Sequence, residues 1–131
     1  MELNDLLGLP FAPGGRGEVG YDCWGLVIEI YRRLGIQVED PGKFYDVEER
    51  VQEDPFNSER DNAFWEEVKP PYKEYDVILF TDGVHNVALH AGVYMGDGKV
   101  LQSLHGRGVV ALPLRLLKER VYGAYRCRAL G

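Results

Sequence analysis

Cys23 stands where a helix is about to begin. The tetrapeptide Asp22-Cys23-Trp24-Gly25 opens an amphipathic run, with Asp22 placed to cap it. A thiol at that point feels the partial positive charge of the unpaired helical N–H groups, which favours thiolate over thiol. A cysteine nucleophile then needs a base to take its proton and return it to a leaving amine, and histidine has the suitable pKa. The chain offers His85, His90 and His105. His90 opens a β-rich run, His85 lies in the loop before it, and His105 lies beyond the returning strand. A base also needs a polar group to hold its ring. Gln102 can sit beside His90 across a predicted hairpin, its amide oxygen accepting from one imidazole N–H while the other nitrogen faces Cys23. Taken singly, a buried Cys, a surface His and a strand Gln are ordinary; they become chemistry only if the fold brings them together.

The elements that must do so are legible in the pattern of apolar residues. Trp24, Val27, Ile30, Tyr31 and Leu34 recur at helical spacing over Cys23–Leu34. Arg32 and Arg33 suit the C-terminal dipole of that helix, and Gly35 its left-handed exit. Residues 1–20 read as a short helix and then a loop punctuated by Pro10, Pro13, Gly14, Gly15, Gly17 and Gly20, either a cleft wall or a plain connector. An acidic excursion over 39–75 follows, with short helices predicted around Val47–Glu53 and Ala63–Val68. From there the texture is β: Asp76–Phe80, Ala88–Met95, a Gly96-Asp97-Gly98 hairpin turn, Lys99–Leu104, Val109–Leu112 and Tyr122–Cys127. Leu114–Arg120 reads as a helical turn. One helix followed by antiparallel strands predicts an α+β fold, in one domain spanning 1–131.

Composition narrows the function classes. A chain of 131 residues, 45% hydrophobic and 27% charged, has the make-up of a soluble globule with a proper core. No apolar run approaches the roughly 20 residues that span a bilayer, so no membrane partner is expected. The opening Met1-Glu2-Leu3-Asn4-Asp5 lacks the layout of a secretory signal, which predicts synthesis in a reducing cytosol with Cys23 and Cys127 as free thiols. A net charge of −6 argues against duplex nucleic acid as a partner. Residues 39–67 are acidic, whereas the end of the chain is basic (Arg107, Arg115, Lys118, Arg120, Arg126, Arg128); both read as ordinary solvated surface rather than docking patches. A metal site built from Cys23, His85, His90 and His105 lacks paired ligand spacing, and no metal or other cofactor is expected.

Two segments in register resemble a known family. Tyr21-Asp22-Cys23-Trp24-Gly25-Leu26-Val27 is similar to the nucleophile motif of the NlpC-type cell-wall peptidases, papain-like cysteine peptidases that cut the peptide stems of bacterial peptidoglycan. Leu89-His90-Ala91-Gly92-Val93-Tyr94, continuing through Gly96-Asp97-Gly98-Lys99, resembles the histidine motif. Tyr75-Asp76-Val77-Ile78-Leu79-Phe80 resembles the preceding strand, where the family usually has Gly-Asp, and Gly108-Val109-Val110 and Gly123-Ala124-Tyr125-Arg126 fit its downstream pattern. The resemblance implies a papain-like core, with Cys23 on a helix packed against a twisted antiparallel sheet carrying His90. It implies Cys23 as nucleophile, His90 as base and Gln102 in the third polar position, usually His, ahead of His105, which falls three places late. Tyr21, Asp22 and Trp24 are implied on the substrate side, with Asp22 assigned first to capping.

The implied substrate is the peptidoglycan stem, cut between D-glutamate and a diamino acid. Trp24 replaces the Ser that often follows the cysteine. Cys23-Trp24-Gly25-Leu26 resembles the version in bacteriophage and prophage tail proteins, which implies tail proteins as partners and a protein made in the host cytoplasm, carried on the virion tail and acting in the wall or periplasm. The alternative is a tail assembly protein that keeps the fold with little or no hydrolytic activity.

Overall fold

The computed structural model describes residues 2–40, 63–84 and 87–131. The predicted helix around Val47–Glu53 and the position of His85 lie outside them. Helix α1 (Cys23–Arg33) comes first and packs on a six-stranded antiparallel sheet. The strands are β1 (Trp65–Glu67), β2 (Val77–Phe80), β3 (His90–Tyr94), β4 (Lys99–Leu104), β5 (Gly108–Pro113) and β6 (Val121–Cys127). Their order across the sheet is β1-β6-β2-β3-β4-β5.

Helix α1 forms because every local signal agrees. Asp22 is extended and its carboxylate accepts the Gly25 N–H at 2.7 Å, satisfying a donor that the helix itself leaves free. Leu26, Val27, Ile30 and Tyr31 are fully buried, and they meet Val77, Leu79, Ala91, Val93 and Leu101 from the sheet. Alternate residues of the same strands face the other way. Ile78, Phe80, Val100 and Ala124 make a second cluster, covered by Tyr72, Leu114, Leu117 and Val121. This is why β2 reads as an unbroken apolar run: both of its faces are covered.

The hairpin joining β3 and β4 turns at Gly96 and Gly98, with φ of +90° and +84°, and pairs Val93 with Leu101 and Tyr94 with Val100. One expectation changes and two are refined. Ala63–Val68 holds a strand instead of a helix: β1 pairs Trp65 with Cys127 and Glu67 with Tyr125 at the sheet edge. Three residues carry too little periodicity to separate helix from strand, and the partner is sixty residues away in sequence, so pairing with β6 decides the outcome. The predicted helical turn over Leu114–Arg120 is a pair of 3₁₀ turns, Leu114–Leu116 and Lys118–Arg120, and the expected opening helix is one such turn at Asn4–Leu6.

Tyr75 occupies the place where the family motif usually has Gly, and it has the backbone that Gly would favour, φ +75°. A left-handed non-glycine residue costs roughly 1–2 kcal/mol. Two hydrogen bonds hold it there: its N–H donates to the Tyr94 carbonyl at 2.8 Å and its carbonyl accepts from the Tyr31 hydroxyl. Next to it, buried Asp76 receives Arg126 in a two-pronged pair, both contacts 2.8 Å, and also accepts the Lys73 N–H at 2.8 Å.

Candidate active site

Cys23 is the first residue of α1, immediately after its cap. It is 3% exposed and shares the main core cluster with Tyr21, Ala88 and Ala91, so the residues flanking His90 pack into the same body of side chains. His90 is the first residue of β3, half-buried, opposite Phe80 in the sheet register with the two rings 5.8 Å apart. Gln102 lies in the neighbouring strand β4, and its Oε1 is 2.7 Å from His90 Nε2. An amide oxygen only accepts, so Nε2 of His90 carries the proton and Nδ1 presents the lone pair. That is the tautomer a base needs if its other nitrogen is already held.

His105 has a different neighbourhood. It is exposed, its ring edge-on to Phe11 of the N-terminal loop at 5.3 Å. Among the described residues no group of three or more His, Cys, Asp or Glu side chains is placed to hold a metal ion.

Gln102 is 2% exposed, and its Nε2 finds no hydrogen-bond partner among the described residues. A buried unmatched donor costs about 1–3 kcal/mol, so this residue sits there at the expense of stability. Gln102→Met removes that donor but also takes the acceptor from the half-buried His90 Nε2–H, so the two effects oppose and stability is expected to stay within about 1 kcal/mol of the wild type. The same variant is expected to lose turnover by about tenfold or more, chiefly in kcat, because the ring of His90 is no longer held. His105→Ala should leave kcat/KM within about twofold. Thermal melts and steady-state rates on one set of samples check both halves. A crippled His105→Ala variant with a normal Gln102→Met would reverse the assignment of the third residue.

The three residues expected on the substrate side are all largely buried. Asp22, 4% exposed, is engaged twice through Oδ1, by the Gly25 N–H and by the Arg16 guanidinium, each at 2.7 Å. Trp24 packs its indole against Trp65 and donates its N–H to the Glu39 carbonyl at 3.0 Å. Tyr21 is 8% exposed, and burial raises its phenol pKa. The structure thus gives Asp22 and Trp24 packing and capping partners on the protein side.

Two contributors escape a reading of motifs alone. Arg16, from the glycine-punctuated loop, bridges Asp22 to Asp40, with contacts of 2.9 Å to both Asp40 oxygens. Burial works against its charge, and the two carboxylates more than restore it, so its pKa ends up raised. The Asp22 carboxylate beside Cys23 would by itself oppose a thiolate; the guanidinium offsets that charge and leaves the helix dipole to favour the anion. Ser103, the neighbour of Gln102, donates its hydroxyl to the Tyr21 carbonyl at 2.6 Å. Two consecutive residues of β4 therefore secure both halves of the site, one at the His90 ring and one at the backbone leading into Cys23. The only hint of Arg16 in the sequence is a lone cation in a Gly- and Pro-rich loop, and nothing marks Ser103.

Gly25 explains the last letter of the opening tetrapeptide. A methyl group there would overlap the Gly15 carbonyl oxygen and crowd Asp22 Oδ1 at 3.1 Å and Arg16 Nη1 at 3.2 Å. Alanine gains about 1 kcal/mol of helix propensity, but overpacking against backbone costs about 1–3 kcal/mol. Gly25→Ala is expected to be destabilising on balance. It should also lose activity beyond what unfolding explains, because the loop carrying Arg16 must move off the helix; denaturant melts and rates compared at a temperature where the variant is folded separate the two effects.

The chain is similar to known proteins. Over 105 residues the chain is 30% identical to the gamma-DL-glutamyl hydrolase of Bacillus subtilis, covering 78% of this chain and 22% of that protein. Over 103 residues it is 31% identical to the murein DD-endopeptidase MepH of Escherichia coli, covering 78% of this chain and 34% of that protein. It therefore spans about a third or less of the length of these relatives. The crystal structure of an NlpC/P60 family protein from Bacillus cereus superimposes with a TM-score of 0.67 at 26% identity, over 93% of this chain and 36% of that one. Residues 8–128, from the loop that carries Arg16 to the last strand, match the NlpC/P60 family, and the chain belongs to it.

Proposed function

We propose that this protein is a cysteine peptidase that hydrolyses peptide-stem bonds of bacterial peptidoglycan. The observation that carries the reading is the 2.7 Å bond from His90 to Gln102, beside a helix that begins with Cys23. The murein endopeptidase named among the relatives supports the substrate class. The Cys23 thiolate attacks the carbonyl carbon of the scissile amide, and the oxyanion that develops is met at the helix start, where backbone N–H groups converge. His90, now protonated, gives its proton to the departing amine as the C–N bond breaks, leaving a thioester on Cys23. Its Nδ1 then takes a proton from water, the hydroxide attacks the thioester, and the carboxylate product leaves as the thiol is restored. Gln102 holds the ring through both steps. As a neutral amide it orients the imidazolium while stabilising its charge less than a carboxylate would.

The test is digestion of purified sacculi, with the soluble fragments separated and their new amine and carboxyl ends identified. Stem fragments with freed ends, absent with Cys23→Ala, are the expected result; fragments cut in the glycan would overturn the reading. The finer bond choice, D-glutamate to a diamino acid, is read from the same products.

The setting on a phage tail rests on the Cys23-Trp24-Gly25-Leu26 motif. A protein made in the host cytoplasm would meet the wall from outside as part of the particle. Mass spectrometry of purified particles induced from the source bacterium tests this setting separately: the chain is expected among the tail proteins. Its presence there without any sacculus digestion would favour an assembly role.

A further inference from the structure

The second core cluster, on the sheet face away from α1, is incompletely covered. A groove of about 820 Å³ opens at the hairpin end of the sheet. Three turns wall it: one at Pro70-Pro71, one at Gly98-Lys99, and one running from Pro113 to Lys118. Its floor is apolar, built from Tyr72, Tyr94, Leu114 and Val121, and the two tyrosine rings meet edge to face at 6.1 Å. Leu116, in the same turn as Leu114, is 65% exposed beside it. Tyr94 lies four residues along β3 from His90, about 13 Å at the usual rise of a strand, so this is a separate feature from the candidate active site.

The rim carries the opposite sign to the chain. Lys99, Arg115 and Lys118 are all exposed, and none forms an ion pair with a described residue. Asp97 is the carboxylate facing them, and its Oδ1 accepts the Lys99 backbone N–H at 3.2 Å. Three cations against one carboxylate, on a chain of net charge −6, are a local reversal of sign. In sequence Arg115 and Lys118 read as scattered surface charge; the fold gathers them with Lys99 around one groove.

We propose that this groove docks an extended acidic segment of a partner protein. Apolar or proline side chains of the segment would lie on Tyr72 and Tyr94, with its carboxylates against Lys99, Arg115 and Lys118. Charge complementarity selects an acidic occupant. The apolar floor with its two tyrosine rings, between walls that carry Pro70, Pro71 and Pro113, selects a peptide over a polyphosphate chain, since such a surface suits extended peptide side chains and offers little to phosphate groups.

The experiment is an amide-shift NMR titration of the isotope-labelled protein with a decapeptide of Glu, Pro and Leu. A decapeptide of Lys, Pro and Leu and a short polyphosphate serve as comparison ligands. Shifts are expected at the amides of Gly98, Lys99, Leu114 and Val121, with the acidic peptide bound at least tenfold more tightly than the basic one. The triple variant Lys99→Glu, Arg115→Glu, Lys118→Glu is expected to weaken the acidic peptide at least tenfold and to digest sacculi at the wild-type rate. Tyr72→Ala should weaken the peptide and leave polyphosphate unaffected. Equal binding of both peptides, shifts away from the groove, no shift at millimolar peptide, or polyphosphate displacing the peptide regardless of Tyr72 would each overturn the proposal. None of these binding readouts depends on hydrolysis.

Discussion

Cys23→Ala is expected to abolish release of stem fragments while leaving a folded protein. Removing the nucleophile from a group of residues that act as a unit typically costs on the order of 10⁵–10⁶ in kcat, which places the variant below detection in a sacculus digest. Without the thiol no thioester forms, and the His90–Gln102 pair has no proton to take from Cys23. The structural cost should be small. Cys23 is 3% exposed in the main core, so losing its sulfur removes one buried heavy atom, about 1 kcal/mol or somewhat more. Asp22, Gly25 and Arg16, which hold the helix start, are untouched. Digestion rates and thermal melts, run together, separate loss of chemistry from loss of fold. Hydrolysis that survives in a folded Cys23→Ala protein would sink the nucleophile assignment.

Arg126→Met is expected to be the most damaging single change to stability among the pairs that hold the sheet. Asp76 is 1% exposed, and its two oxygens receive Arg126 at 2.8 Å each. The pair raises the Arg126 pKa, through the hydrogen bond to Asp76 first. Methionine keeps most of the apolar stem but leaves a buried carboxylate held, among the described residues, by the Lys73 N–H. Breaking a buried ion pair from one side costs about 3–5 kcal/mol, and the lower end applies because Arg126 keeps 15% of its side chain exposed. A loss of that size is a large part of the stability of a domain this long, about 5–15 kcal/mol. The double variant Asp76→Asn with Arg126→Met should recover part of it, since no uncompensated charge remains. Denaturant unfolding of the wild type, both singles and the double forms a closed cycle. A loss below about 1 kcal/mol for Arg126→Met would mean that water replaces the guanidinium at Asp76.

The pair also bears on the site. Asp76 immediately precedes β2, whose Phe80 lies against His90, and Arg126 lies in β6, the neighbour of β2 in the sheet. Relaxing that strand pair shifts the floor under the His90 ring, so a partial loss of turnover is expected to accompany the loss of stability.

What the sequence determined by itself is everything carried by short-range physics. A cap, a helical period and a glycine exit specify α1; alternation around Gly96-Asp97-Gly98 specifies β3 and β4 and, through their hairpin, the approach of Gln102 to His90. These signals are local because each depends on residues a few positions apart, and hairpin register is set by its turn.

What the tertiary structure alone decided depends on contacts between distant segments. The three residues of β1 take strand form because β6 offers its edge. Arg16 reaches Asp22 and Asp40 because the loop before α1 folds back onto the helix start. Ser103 finds the Tyr21 carbonyl eighty-two residues away in sequence. Trp24 acquires its protein partners, and Asp22 its partner beyond the helix cap, only when Trp65, Glu39 and Arg16 arrive. Side-chain type and spacing encode which residues could react; which atoms neutralise, hold and bury them is decided by long-range packing, which one-dimensional spacing does not contain.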